Sequence, residues 1–389
     1  MYIEREIKEK FNKIVKSYLA IALVGARQSG KTTFLKENAK SISSTYLLFD
    51  DPDIRNLFEE DIKKFEKQYL EGSEVHILDE VQYCKNAGRN IKYLVDNGKK
   101  LWITSSSEQI LGKEVLSFLV GRVSILKLYP LSIKEFLNAN GQKEFTKQVL
   151  ERSVWEHITY GGYPKVVITD DKESKEIILR DIYQTMILKD IAKTFSIEDI
   201  NSLERFTKYL SINVGNLVSY EEVSSNLNLS FQTVKKYLNA MEKSYLIAEV
   251  PPFFNNKTKE IIKQPKFYFV DTGLRNVIAK RFDSEPEGKI FENYVASELI
   301  KAGFTPKHWR TKSKSEVDFI IEKDGEIIPI EVKINSLGKM ERSLKTFIGA
   351  YKPKRAFVVS YKYKDEVKNF NDCKIFFTDI LNLIKLLEE

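Results

Sequence analysis

Cysteine is nearly absent: only Cys84 and Cys373 occur in 389 residues. Two distant cysteines support neither a disulfide framework nor a cysteine metal site, and they fit a reducing, cytoplasmic setting. Long apolar runs are missing too. No stretch approaches the ~18 consecutive apolar residues of a membrane-crossing helix, so no membrane partner is expected. The opening residues MYIEREIKEKF are charged and amphipathic, unlike a signal peptide. Charge of one sign is not in large excess: 62 basic against 55 acidic side chains give +7, which by itself names no partner. What is present is an ordinary 42% of apolar residues, enough for each of two to four domains to bury a core.

Gly25-Ala26-Arg27-Gln28-Ser29-Gly30-Lys31-Thr32 fits G-x-x-x-x-G-K-[ST]. An apolar run, residues 20–24, precedes it, and a helix-competent run, residues 32–40, includes Thr33. Strand, glycine loop and helix in that order put backbone N–H groups and a helix N-terminus around a phosphate. Lys31 is then expected on the outer phosphates of ATP, and the Thr32 hydroxyl on Mg²⁺. Apolar runs at 21–24, 46–49, 75–78, 101–104 and 123–128 alternate with helical patterns, which predicts a mainly parallel sheet covered by helices. The third run ends in Asp79-Glu80. Asp79 is the expected Mg²⁺-shell acid, and Glu80 the group that polarises the attacking water. Thr104 or Ser106, at the end of the fourth run, is either a γ-phosphate sensor or merely a polar strand end. Arg122, just before the fifth run, is a candidate arginine finger acting in cis or from a neighbouring subunit of a homo-oligomer; the alternative is a surface ion pair.

Residues 133–213 read as helical, interrupted by Gly161-Gly162-Tyr163-Pro164, which forms either a loop near the nucleotide or a helix connector. Beyond Ser219 the pattern changes. A capped helix with Glu221 and Glu222 in its first turn leads to a turn at 226–229. A second helix, 231–243, carries Gln232, Thr233, Lys235, Lys236 and Asn239. Runs at 246–250 and 266–270 can pair around a lysine-rich loop. This is a winged-helix pattern, a fold that reads DNA or docks proteins. Across 252–281 the cations Lys257, Lys259, Lys263, Lys266, Arg275, Lys280 and Arg281 face only Glu260 and Asp271. Lys301, Lys307, Arg310, Lys312 and Lys314 follow, with no acid among residues 301–314. With Phe253, Phe254, Phe267, Tyr268 and Trp309 among them, these cations suit DNA; the alternative is a solvated lysine-rich surface.

Asp324-Gly325 signals a type I′ hairpin. Counting outward from Lys323 opposite Glu326, Asp318 faces Glu331 and Glu316 faces Lys333, while Val317, Phe319, Ile321, Ile328, Ile330 and Val332 share the apolar face. Two opposed carboxylates repel unless a cation lies between them. Asp318 and Glu331, with Glu292 on the preceding helix, are therefore candidate ligands of Mg²⁺ or Mn²⁺. Lys333 would position or deprotonate a water. This is the D…E-x-K arrangement of PD-(D/E)xK nucleases, and the order αβββαβ agrees with it. A charged solvated face is the plainer alternative.

Together GARQSGKTT, YLLFDDP, LDEVQ, ITSSS, LVGRV, LYPLSIKEF, GGYP and EVDFII…IPIEVK resemble the archaeal and bacterial AAA-like ATPase family with a DUF4143 C-terminal region. The resemblance covers essentially the whole chain and implies ATP binding and hydrolysis. The family usually has Thr-Gly-Ser where this chain has Thr104-Ser105-Ser106. The expected architecture is α/β: a P-loop ATPase core (1–135), a helical lid (136–215), a winged helix (216–281) and a restriction-endonuclease-like domain (282–389). The expected activity is ATP hydrolysis with DNA binding and metal-dependent cutting. The alternative is a nucleotide-switched DNA-binding or protein-docking regulator with an inert hairpin site.

Overall fold

A computed structural model describes residues 2–106, 121–141, 146–254, 260, 263–282, 287–313, 315–336, 338–363 and 365–389. The N-terminal sheet has β1 (Ala20–Val24), β2 (Ser44–Leu48), β3 (Val75–Asp79), β4 (Lys100–Ser105) and β5 (Val123–Lys127) in the order β2-β3-β4-β1-β5. All of its pairings are parallel. β1 and β3 are buried along their whole length, as continuous apolar runs covered on both faces must be. On one face Phe11 of the leading helix sits edge-on to Phe34 and Trp102. Phe49, Phe58 and Phe65 cluster on the other. β1 lies inside the sheet, so the loop at its C-terminal end opens beside the ends of β3 and β4, where ligands of open α/β sheets bind.

A helix at Ile133–Ala139, closed by a Ser132/Glu135 capping box, leads into the helical region. Helices Lys147–Tyr160, Lys172–Thr185 and Ile200–Ile212 follow, with a π-helical stretch at Met186–Lys193. Helices Tyr220–Leu227 and Phe231–Lys243 come next, then the antiparallel pair β6 (Ile247–Val250) and β7 (Lys266–Phe269), with Leu217 bridged to Lys266.

The C-terminal sheet runs β12-β13-β11-β10-β9-β8. Its strands are β8 (Lys307–Arg310), β9 (Glu316–Lys323), β10 (Glu326–Asn335), β11 (Arg355–Lys362), β12 (Glu366–Phe370) and β13 (Cys373–Thr378). Helices Gly288–Lys301 and Arg342–Tyr351 complete the expected αβββαβ order. Asp324 and Gly325 both have positive φ, 50° and 79°, as a I′ turn demands. The pairing runs from Lys323↔Glu326 to Phe319↔Ile330, as counted from the sequence.

Helix Gly288–Lys301 also ties this unit to the rest. Glu298 Oε2 accepts from the Ile133 amide at 2.8 Å, and Lys301 donates to the Leu131 carbonyl at 3.1 Å. The Tyr294 hydroxyl is 3.0 Å from His157 Nδ1. Gly161-Gly162-Tyr163-Pro164 joins two helices, with the Gly162 amide donating to Asp271 Oδ2 at 2.8 Å.

One expectation is overturned here. Phe253, Phe267, Tyr268 and Trp309 are buried, and Trp309 packs edge-on to Phe347 at 5.1 Å. They are core rather than stacking surface. Lys266 and Arg275 are buried as well, Arg275 donating to the Ser211 carbonyl at 2.8 Å. Lys301 and Lys307 are held by acids. Lys257, Lys259 and Lys314 lie outside the described residues, as does Ser107 of the ITSSS run. Burial of the aromatic faces outweighs any pull of the neighbouring cations toward solvent.

Candidate nucleotide and carboxylate sites

The loop after β1 begins pressed against neighbouring backbone. Gly25 has φ +154°, and a Cβ on it would overlap the Leu128 carbonyl oxygen. Gly30 has φ +98° and starts helix Lys31–Ala39. Gln28 is left-handed at φ 60°. Ala26 and Ser29 are buried, and Thr33 is exposed one turn into the helix. Lys31 is buried; its ammonium donates to the Gly25 and Ala26 carbonyls, 2.9 Å each. Burial pulls its pKa down, so an approaching phosphate meets an ammonium poorly compensated by solvent.

Asp79 ends β3 as an acceptor for three hydroxyls. Thr32 donates to its two oxygens at 2.9 and 3.0 Å, Tyr46 donates at 2.7 Å, and Thr104 donates at short range. The Thr32–Asp79 oxygen pair suits a hard cation such as Mg²⁺. Glu80 stands in the left-handed region at φ 62°, a costly conformation for a non-glycine residue that concentrates at functional sites. Its amide donates to Thr104 Oγ1 at 3.0 Å, and its carboxylate accepts from Gln82. Thr104 thus braces the Asp79–Glu80 corner. Ser106 bonds Gln82 and Asp190.

Arg122 is a correction. It precedes the N-terminal end of β5, whose Val123 pairs with Ala20, whereas the loop follows Val24 at the other end of β1. Arg122 lies across the sheet from the phosphate loop and pairs with Asp96 at 2.9 Å, both side chains nearly half exposed. It is therefore no finger in cis. The sequence reading missed Arg5, which donates to the Ser29 and Tyr129 carbonyls at 2.8 and 2.6 Å, and Asp190, which holds Arg27. A lone acid in the apolar run MILKDIA was the one signal for Asp190. Nothing local marked Arg5.

A second cluster lies where helix Gly288–Lys301 meets β9 and β10. Carboxylate oxygens of Glu292, Glu316 and Asp318 lie within 4.8 Å of one another. Past Phe319↔Ile330 the ladder opens, and Asp318 Oδ2 accepts from the Val332 amide at 2.8 Å. Burial, with Glu292 and Glu331 beside it, pushes the Asp318 carboxyl well above the carboxylate range. Burial also raises Glu331, against the pull of Lys333. Glu331 is 4% exposed, and its Oε2 is buried without a hydrogen-bond partner. The acids are thus oxygen donors at a charge density that fits a divalent cation.

Two parts of this reading change. Glu316 does not face Lys333; it pairs with Lys266 and lies 3.7 Å from Arg310 on β8. Lys333 bonds Glu331 at 2.9 Å and lies 3.3 Å from Glu341. Burial pulls the Lys333 pKa down, but Glu331, Asp318 and Glu341 outweigh it and hold it above the ordinary value. It can orient a water but is a poor base. The sequence also hid Lys266. Its buried ammonium lies 2.9 Å from Glu292 Oε1 and contacts Glu316, while Tyr268 and Lys289 donate to Glu292 at 2.5 and 2.7 Å.

The AAA domain model matches residues 17–137, the domain of unknown function DUF8612 matches 151–285, and the domain of unknown function DUF4143 matches 287–378. An uncharacterized protein of Methanocaldococcus jannaschii is 30% identical over 389 residues, spanning 94% of this chain and 86% of its own. One from Haemophilus influenzae is 28% identical over 355 residues, covering 85% of each chain. The chain belongs to the AAA-like P-loop ATPase family with a DUF4143 region. Among solved structures, the Walker-type ATPase of Pyrococcus abyssi is 12% identical, spans 71% of this chain and 96% of its own, and has a TM-score of 0.48. The AAA-domain match supports ATP binding and hydrolysis by this chain. No helix among the described residues is long and apolar enough to cross a membrane.

Proposed function

We propose that this ATPase couples nucleotide hydrolysis to metal-dependent cutting of DNA. One observation carries the reading: the carboxylates of Glu292, Glu316 and Asp318 converge at the opened end of a hairpin, and a buried carboxylate oxygen of the nearby Glu331 is left unpaired beside Lys333. Clustering buried acids is costly, and a purely structural sheet has no use for it. A divalent cation there would supply Lewis acidity and a more acidic water. Glu292, Glu316 and Asp318 would hold it, with Glu331 beside them, and Lys333 would orient the water or the phosphate through its ammonium.

The helix pair with its β6–β7 hairpin fits a winged helix that holds the duplex. Phe231, Gln232, Lys235 and Asn239 line the exposed side of helix Phe231–Lys243. In the N-terminal unit, Thr32 and Asp79 would hold Mg²⁺, Lys31 would meet the outer phosphates, and Glu80 would orient the water.

A nuclease assay with Mg²⁺ or Mn²⁺ tests the proposal. Cutting by the intact protein is expected to vanish in Lys333→Ala while ATP turnover persists. Lys31→Ala is expected to do the reverse to turnover, lowering it on the order of a hundredfold or more. Lack of cutting with both metals, on duplex and single strands, refutes the nuclease reading.

A second reading, a nucleotide-switched DNA-binding regulator with an inert carboxylate site, draws on Lys266. Its ammonium already compensates Glu292 and Glu316. DNA affinity falling steeply with salt, with no cutting, would favour it; salt-independent binding would favour docking to a protein.

A further inference from the structure

Arg27 stands third in the phosphate loop, yet its guanidinium is committed elsewhere. Nε and Nη2 donate to the two Asp190 oxygens at 2.9 and 3.1 Å, and Nη2 also donates to the Tyr83 hydroxyl at 3.0 Å. Asp190 is 4% exposed and lies in the π-helical stretch Met186–Lys193. Such i→i+5 turns are rare and recur at functional sites.

Asp190 faces two further elements. Its Oδ1 accepts from Ser106 Oγ at 3.0 Å, and Ser106 in turn accepts from Gln82 at 3.2 Å. Gln82 donates to Glu80, the residue set to orient the attacking water. The Asp190 backbone carbonyl accepts from Ser244 Oγ at 3.0 Å. Ser244 is the C-terminal cap of helix Phe231–Lys243. One residue therefore touches the phosphate loop, the chain leading to Glu80, and the last turn of a helix whose opposite side is exposed.

We propose that Arg27 and Asp190 form a latch: a triphosphate in the loop takes the Arg27 guanidinium, and the released Asp190 repositions the π-helical stretch and helix Phe231–Lys243. Guanidinium pairs bidentately with phosphate as readily as with carboxylate, and the terminal phosphate carries the larger charge. Once deprived of Arg27, a carboxylate this deeply buried is poorly tolerated, so the segment bearing it must shift. Because both partners compete for one side chain, the two arrangements are discrete, as coupling between sites requires. Arg27 is then a phosphate-contacting residue in the loaded state, and Asp190 is a positioning residue. The inference rests on ATP binding alone and is independent of what the exposed helix contacts.

Calorimetry with a non-hydrolysable ATP analogue and with ADP, steady-state kinetics, and hydrogen exchange of residues 231–243 test it on the full chain. In the wild type, exchange in 231–243 should differ between the two nucleotides. Arg27→Ala should cut the preference for triphosphate over diphosphate about tenfold, and Arg27→Lys should restore only part of it. Asp190→Asn, which removes the competitor for Arg27, should strengthen that preference and lower kcat, while 231–243 no longer responds. Should Asp190→Asn fail to fold, Ser244→Ala leaves the ion pair intact and should keep the nucleotide preference but lose the response. Unaltered triphosphate preference in Arg27→Ala overturns the proposal. So does wild-type exchange in 231–243 that is indifferent to nucleotide.

Discussion

Replacing Lys266 by Met would leave the carboxylate cluster without its buried cation at nearly constant side-chain volume. The ammonium is 1% exposed and lies between Glu292 and Glu316. Lys289 and Arg310 remain, but the first is half exposed and the second stands 3.7 Å from Glu316. Breaking a buried ion pair by removing one partner costs about 3–5 kcal/mol. That loss is expected for the C-terminal unit in metal-free buffer. A divalent cation should then stabilise the variant more than the wild type, where the ammonium competes for the same oxygens. At a hundredfold excess over its dissociation constant it restores about 2.7 kcal/mol. Urea titration read through Trp309, in a background lacking Trp102 and Trp155, reports on this unit. If Mn²⁺ stabilises Lys266→Met no more than the wild type, the cluster is not a cation site and the argument for cutting fails with it.

Gly25→Ala should weaken ATP binding about 5- to 150-fold by calorimetry, since its Cβ collides with the Leu128 carbonyl and the loop must distort at a cost of about 1–3 kcal/mol; wild-type affinity would refute the close-approach argument. Burial, helped by Lys99, holds His76 at a pKa of about 4, below the ordinary 6.5. Its neutral form is favoured in the fold, so its contribution is complete above the ordinary value and drains as the pH falls toward 4. Between pH 8 and pH 5 that is a loss of about 2 kcal/mol, which His76→Leu should remove from the urea midpoint; an unchanged acid slope would assign the loss to other groups. Arg122→Ala should shift stability by no more than about 1 kcal/mol, because its pair with Asp96 is solvent-exposed. Specific ATPase activity should be unchanged at every protein concentration; a concentration-dependent drop would return Arg122 to a role between subunits.

The phosphate loop, the acid-tipped strand β3 and the hairpin register were legible in the sequence because each is local: a handful of neighbours decides backbone conformation and side-chain alternation. The partners were not. Asp190 is 163 residues from Arg27, and Lys266 is 50 residues from Glu316; spacing along a chain carries no information about such meetings. The aromatic-basic stretch misled for a related reason. Composition gives the residues of β7 and β8 but not what covers them, and Phe347 and its neighbours on helix Arg342–Tyr351 enclose Trp309. Glu316 was legible as a carboxylate on the polar face of β9; that β8 and β7 would draw it away from Lys333 was not.

Glu298 seals the amide end of helix Ile133–Ala139 from a helix that begins more than 150 residues later, and His157 and Tyr294 meet across the same seam. Severing the chain near residue 286 would therefore yield two fragments with raw, poorly solvated edges instead of two working halves. The carboxylate end of this molecule works packed against the rest of the chain, and biochemists will have to study the two intact.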